Sequence, residues 1–384
     1  MASPSSENRH RSSLEGILDF SPSVLKPDEA HRARRVFRQI IKHNEQRSPS
    51  ENEEYNAVKL VRLTEEYLLC EQGRDRFLNF FFTFLGISVN NAASFDGWDE
   101  GEKEKLYRQL LEFSNFLFNN FYLPLMASAV KTPQPSAQTS GSQNSCLYTG
   151  TNKRLSELRG TCLKRDHHRC IVSRKFDFSE SRKRAKIHGD NAKDDEGRLL
   201  VEDDQDFDDL EVAHIIPHSL MDLKGRPELD MSKQTAIMIL DMFDYGIAHK
   251  IEGCEIDRPF NALTLTPLLH RAFGDFEIFF EPATEIPHSY RINRIKSGLL
   301  RVPGVPVTRT LFLTPERTID PPSAQLLAIH RAIAHILHLS GAGIQISDIL
   351  QELEDARVQS DGSTHLEHLV NLRLQGWWNG IHVY

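Results

Sequence analysis

Positive charge is in deficit along this 384-residue chain: 46 Lys and Arg face 54 Asp and Glu, for a net charge of −8. No global field gathers nucleic acid, so any polyanion site has to be a local patch. Cysteine is scarce and odd in number, being Cys70, Cys146, Cys162, Cys170 and Cys254. No two of them form a CxxC pair, which removes a zinc ribbon. An odd count in a long chain also argues against a secreted disulfide framework. Long apolar runs are missing as well. The longest, Phe77 to Val89, is interrupted by Asn79 and is too short to span a bilayer. The N-terminal MASPSSENRHRSS lacks the apolar core of a signal peptide. Ser219 has no G-x-S-x-G context, so no hydrolase elbow is written there. Together these absences lead us to expect a soluble intracellular protein, cytoplasmic or nuclear, with no membrane partner; the sequence is silent on oligomeric state.

What is present divides the chain. Residues 1–27 are rich in Ser and Pro and are expected to be disordered. From Asp28 the apolar residues Ala33, Val36, Phe37, Ile40 and Ile41 recur at helical spacing, as do Leu106, Leu110, Phe113, Leu117 and Phe121. Residues 28–126 therefore read as a helical domain. A linker at 127–145 follows, containing KTPQPSAQTSGSQNS. The pattern then becomes mixed over 146–300, with strand-like pieces at RCIVS (169–173), LEVAHII (210–216), ALTLT (262–266) and DFEIFF (275–280), and a helix over Asp230–Tyr245. Residues 301–384 return to a strand and helices. Ser323–Leu339 carries Leu326, Ile329, Ile333 and Ile336 on one face and stops at Gly341, which leaves His330, His335 and His338 as surface or capping residues. Thr364 with Glu367 forms a capping box for a last helix that Gly376 would end.

A charged insertion at 178–209 interrupts the mixed region. It opens on the basic run SRKRAK (181–186). From Asp194 to Glu211 the chain then holds ten acidic residues against Arg198 alone. Charge blocks of this kind repel and solvate, so a mobile loop is expected. SRKRAK also fits a weak nuclear import signal. Cys162, His167, His168 and Cys170 are too cramped for a zinc finger.

The chemistry is concentrated around EVAHIIPHSL (211–220), where His214 interrupts an apolar strand that Pro217 ends and His218 follows. Alone, His214 reads as a buried histidine with a hydrogen-bond partner, and His218 as a loop histidine. Downstream, FNALTLTPLLHRAFGDFEIFF (260–280) sets Asn261 before a strand. Thr266 and Pro267 then open a short helix bearing His270, and Gly274 closes it.

Strand, strand and helix carrying His, Asn and His in that order resemble the HNH endonuclease family and its ββα-metal fold. The AHIIP and N-x-L-x-L-x-x-x-x-H pieces resemble a subgroup of uncharacterised fungal HNH proteins, over about residues 146–290. The resemblance implies an α+β protein, a ββα-metal core flanked by N- and C-terminal helical regions. It implies a metal-dependent endonuclease that hydrolyses phosphodiester bonds of nucleic acid, with DNA the favoured substrate. His214 would be the general base and His270 a metal ligand. Asn261 would orient the base or bind the metal, and Asp275 is the further candidate ligand. The cofactor would be one divalent cation, Mg²⁺ or Mn²⁺, with Zn²⁺ as a further candidate. Three positions depart from the family. Ala213 stands where many members carry a metal-binding Asp, Glu or His, and Glu211, on the opposite strand face from His214, does not simply replace it. Gly274 stands where an Asp is frequent, the acid coming one step later as Asp275. The interval from His214 to Asn261 is long. A non-catalytic descendant that keeps the fold as a binding module is therefore the alternative. The nuclease reading expects His214, Asn261 and His270 to converge on one solvent-reachable cleft.

Overall fold

The computed structural model describes residues 25–45, 47, 55–89, 95, 97–129, 152–202, 205–222, 230–283, 286–295, 302–355, 372 and 377. The disorder expected for the N-terminus up to residue 24, the linker sequence at 131–145, and the Thr364–Glu367 capping box with Gly376 lie outside the described residues.

Five helices come first: α1 (Pro27–Glu45), α2 (Ala57–Glu66), α3 (Glu71–Phe84), α4 (Glu100–Leu117) and α5 (Leu123–Ala129). The stripe of α1 is buried at Ala33, Val36, Phe37, Ile40 and Ile41. A capping box starts α4: Asp99 Oδ1 accepts from Glu102 N at 2.8 Å, and Glu102 Oε2 accepts from Asp99 N at 3.1 Å. One π-helical turn (Phe118–Tyr122) joins α4 to α5. Next come α6 (Asn152–Arg165), β1 (Phe176–Asp177), α7 (Phe178–His188), β2 (Phe207–Asp208) and β3 (Glu211–His214). They are followed by α8 (Met231–Phe243), α9 (Ile247–Lys250), β4 (Ala262–Leu265) and α10 (Pro267–Gly274). The chain continues through β5 (Ile278–Pro282), β6 (Ser289–Arg294), β7 (Val307–Thr310), α11 (Ala324–Ser340) and α12 (Ala342–Asp355). The protein is mostly helical with small sheets, an α+β architecture: β1 and β2 pair parallel, β3 and β4 antiparallel, and β5–β6–β7 form an antiparallel meander.

The first helices share one core with the later elements. Phe121 stacks on Phe243 of α8 with ring centroids 5.6 Å apart, and Arg76 of α3 pairs with Asp241 of α8 at 3.2 Å. Gly73 lets α3 come this close, since a Cβ there would meet the Met242 carbonyl oxygen at 1.9 Å. On the other side α11 packs against α2 and β5. Among the described residues no single helix is long and apolar enough to cross a membrane. Only α11 and α12 together pass on length and composition, and they meet at 89°.

Three expectations are corrected. RCIVS is a tight turn, not a strand: Cys170 N donates to Lys175 O, Arg174 N donates to Cys170 O, and Arg174 takes a positive φ of 67°. Its sheet contacts are isolated ones: Ile171 donates from N to Thr264 O at 3.0 Å, and Arg169 makes a lone bridge to Phe176 of β1. The charged insertion is ordered where described. Asp177 caps α7 through Glu180 N, and the acids that follow are held by cations: Arg169 reaches Asp194 and Gln205, while Arg184 reaches Glu180 and Asp195. Charge blocks of opposite sign, brought together, neutralise one another instead of solvating separately. Cysteine chemistry is mixed, with Cys70, Cys162 and Cys170 free and Cys254 disulfide-bonded.

The third correction concerns α11, of whose histidines His330 and His335 are not surface residues, while His338 sits half-buried in the last turn. His330 is buried between Phe273 and Phe276, with ring centroids at 3.8 and 4.4 Å, and donates from Nε2 to Phe273 O at 3.0 Å. His335 is half-buried between Tyr67 and Phe279. Burial pushes the His330 imidazole down to about 3 from an ordinary 6.5, against the opposing pull of the Phe273 carbonyl. The unfolded chain therefore binds a proton that the folded state refuses. This contribution is full above pH 6.5 and is lost as pH falls toward about 3. Thermal denaturation of the wild type and His330→Gln between pH 7 and about pH 4 checks this. The glutamine keeps a donor for Phe273 O and cannot titrate, so its melting temperature should fall less steeply with acidification. Parallel slopes would show that His330 is not the titrating group.

Candidate functional site

The antiparallel pair β3–β4 aligns Glu211 with Leu265, Val212 with Thr264, Ala213 with Leu263 and His214 with Ala262, and α10 packs over both strands. Alternation along β3 sends Val212 and His214 to one face and Glu211 and Ala213 to the other. Val212 and Ala262 pack with Leu158 and Cys162 of α6, so α6 covers the His214 face. Thr266 caps α10 by geometry, though its side chain makes no capping bond, and Pro267 takes the first turn.

His214 is buried, and its Nε2 lies 3.1 Å from Oδ1 of Asp257, which ends a 3₁₀ turn (Gly253–Asp257). Asp257 Oδ2 is 3.5 Å from Arg154 Nη2 on α6. His214 Nδ1 is enclosed and has no protein hydrogen-bond partner. The His218 ring lies 5.3 Å from that of His214 and is no free loop side chain. Burial, with His214 beside it, pushes His218 down to about 4, so it stays neutral near pH 7.

On the α10 side, His270 Nδ1 lies 2.7 Å from Glu211 Oε2. His270 is buried too, and its Nε2 has no protein partner. Glu211 lies on the face of β3 opposite His214. The relevant neighbour is Ala213: two residues apart on a strand, Glu211 and Ala213 share a face, and that face meets α10. A period of two counted from Ala213 would have found it.

The Asn261 side chain makes no bond to the His214 or His270 ring, and its hydrogen bonds go to backbone. Its Oδ1 accepts from Ile216 N at 2.9 Å, and its Nδ2 donates to Ile216 O at 2.9 Å and Ile256 O at 2.8 Å. Fully buried, it ties the end of β3 to the start of β4 and to the 3₁₀ turn that carries Asp257. Asp275 caps the far end of α10 and lies 3.7 Å from Arg271 Nε. It lines a cavity of about 170 Å³ with Leu337 and His338 of α11 and Ser347 and Asp348 of α12, so it faces away from Glu211. The expected single solvent-reachable cleft is also corrected. His214 and His270 are each 4 % exposed, and they engage different carboxylates on opposite faces of β3. Cys162 and Cys170 are buried, and His168 and His167 turn to Asp195 and Glu196 at 2.8 and 3.8 Å.

Residues 193–281 match a family model described as HNH endonuclease. That span contains β3, β4 and α10, and with them His214, Asn261 and His270. No curated protein and no solved structure matches the chain. HNH endonucleases generally use a divalent metal. Among the described residues of this chain, no group of three or more His, Cys, Asp or Glu side chains is placed to hold an ion. An imidazole whose Nδ1–H is held by a carboxylate while Nε2 stays free is arranged as metal-bound histidines are. The matched segment contains one imidazole set up in this way. Glu211 holds Nδ1 of His270 from behind and Nε2 has no protein partner, so His270 alone would offer a donor, and a cation there would take its remaining ligands from water and phosphate.

The buried pair Arg165 and Asp166 positions the site with no local signal in the sequence. Arg165, at the end of α6, is fully buried and uses all five of its donors. Nε and Nη2 grip Asp166 at 2.8 and 2.7 Å, Nη2 reaches Ala262 O at 3.0 Å, and Nη1 reaches Pro259 O and Asp320 O at 2.7 and 3.3 Å. Burial alone would lower its pKa, but the Asp166 charge outweighs that and holds the guanidinium charged.

Asn261→Ala would strand the Ile216 N–H and the carbonyls of Ile216 and Ile256 in the interior. Each buried, unsatisfied group costs about 1–3 kcal/mol. A large loss of thermal stability is expected by calorimetry, and a wild-type melting temperature would show that the carboxamide does not hold the strands.

Proposed function

We propose that the HNH segment is the ββα-metal core of a metal-dependent endonuclease that hydrolyses phosphodiester bonds, with DNA as the favoured substrate. One observation carries this reading: His214 and His270 each rest one ring nitrogen on a carboxylate and present the other, buried and without a protein partner. The two rings lie on opposite faces of β3, each backed by its own carboxylate.

In this reading His214 Nδ1 takes a proton from water. The water oxygen bonds to phosphorus as the P–O3′ bond breaks. His270 Nε2, its ring held by Glu211, would help hold a divalent cation, Mg²⁺ or Mn²⁺ ahead of Zn²⁺, which would supply charge neutralisation at the phosphate and the departing oxygen. Asn261 keeps the strand ends in register and is not a ligand. The setting inside the cell, in cytoplasm or nucleus, is part of the proposal and rests on the polar N-terminus and the basic run. A second reading, a binding module without catalysis, draws on the burial of both rings.

Plasmid nicking with Mg²⁺ or Mn²⁺ tests the proposal. His214→Ala should lower the rate by about 10²–10⁴, and His270→Ala and Glu211→Gln should raise the metal concentration needed. With His270 Nε2 as the protein donor and Glu211 only orienting its ring, calorimetry should find only weak metal binding when nucleic acid is absent. Unchanged nicking by His214→Ala removes His214 from the mechanism. No nicking by the wild type in any metal leaves the binding module as the reading.

A further inference from the structure

We propose that Asp257, braced by Arg154, is the positioning residue that sets the tautomer of His214, an inference that rests on the nuclease reading. The Asp257 carboxylate is enclosed, with no exposed side-chain surface, and its Oδ1 is 3.1 Å from His214 Nε2. A carboxylate beside an arginine accepts hydrogen bonds and does not donate them. The neutral imidazole therefore carries its proton on Nε2, and the lone pair sits on Nδ1, the nitrogen with no protein partner. The alternative tautomer would set two lone pairs against each other at 3.1 Å.

The brace comes from two sides. Arg154 Nη2 lies 3.5 Å from Asp257 Oδ2 and also donates to Cys254 O at 2.6 Å, so it holds both the carboxylate and the turn that carries it. Asn261 Nδ2 donates to Ile256 O, one residue before Asp257. The turn is thus fastened to α6 and to the β3–β4 pair, which share the face where His214 lies.

The consequence for the reaction is specific. When Nδ1 takes the proton from water, the ring becomes an imidazolium with N–H on both nitrogens. The Nε2 proton stays where it is, Asp257 remains ionised, and its charge stabilises the imidazolium. The charged or titratable groups around the ring are Asp257 and Arg154 on the α6 side and His218 beyond the strand end, with Asp222 and Lys233 next to His218.

The test reads the ring directly, by nitrogen NMR of the full chain with ¹⁵N-labelled histidine, the His214 signals being assigned by their loss in His214→Gln. The wild type should show an unprotonated Nδ1 and a protonated Nε2 near neutral pH. In Asp257→Asn, which keeps shape and loses charge, the His214 titration midpoint should fall by roughly one pH unit or more. The acid limb of the nicking profile should shift in the same direction, and Asp257→Glu should restore part of both. A wild-type ring protonated on Nδ1 overturns the proposal, and so does a folded Asp257→Asn whose His214 titration is unchanged. If Asp257→Asn does not fold, the wild-type tautomer still decides. If the wild type shows the expected tautomer and does not nick DNA, the nuclease reading fails while the hold of Asp257 on His214 stands.

Discussion

The site depends first on a buried cation, Arg165. Its fork-shaped guanidinium meets the Asp166 carboxylate in two parallel bonds and spends its remaining donors on the carbonyls of Pro259, Ala262 and Asp320. One side chain thereby joins the end of α6, the turn that carries Asn261, the first residue of β4 and the approach to α11. Enclosing a charge is costly, and removing one partner of a buried pair typically costs 3–5 kcal/mol, about what a domain can least spare. That cost, together with the planar geometry of the guanidinium, makes the junction rigid. Lysine, a single point of charge, could not satisfy the same five acceptors.

From that junction the two faces of β3 acquire different chemistry. The α6 side receives His214, Asp257 and Arg154. The α10 side receives Glu211 and His270. A strand is thin enough for adjacent residues to serve both faces, which is how a short motif can place two buried histidine–carboxylate pairs on either side of one strand. Asn261 closes the arrangement by hydrogen-bonding across the strand ends, so the residue most readily taken for a chemical participant acts on the backbone instead.

The helix bearing His270 is in turn held from behind. His330 of α11 lies between Phe273 and Phe276 and bonds the Phe273 carbonyl at the end of α10. The same α11 packs on α2, and α3 packs on α8, which follows the motif strand. The N-terminal helices and the C-terminal pair thus act as a clamp around the HNH segment and share its hydrophobic core.

Much of this was legible in the chain because it is periodic or local. The stripes of α1, α4 and α11, the stop of α11 at Gly341, and the strand–strand–helix order around His214, Asn261 and His270 follow from spacing and turn chemistry. Readings failed where the deciding partner lay far away. RCIVS has strand composition, yet a turn at Arg174 and a single bond to Thr264 decide its shape. The charged insertion looked solvated because its cations and anions are distant in sequence and meet only in space. Asp257 lies 43 residues from His214 and carries no motif. The sequence by itself determined which residue types stand at the motif positions and which elements carry them, since these depend on covalent order and period. Only the tertiary structure decided which nitrogen of each histidine is held, by which carboxylate, and that Asn261 is spent on the backbone, because a hydrogen bond is made by whichever group packing brings within about 3 Å.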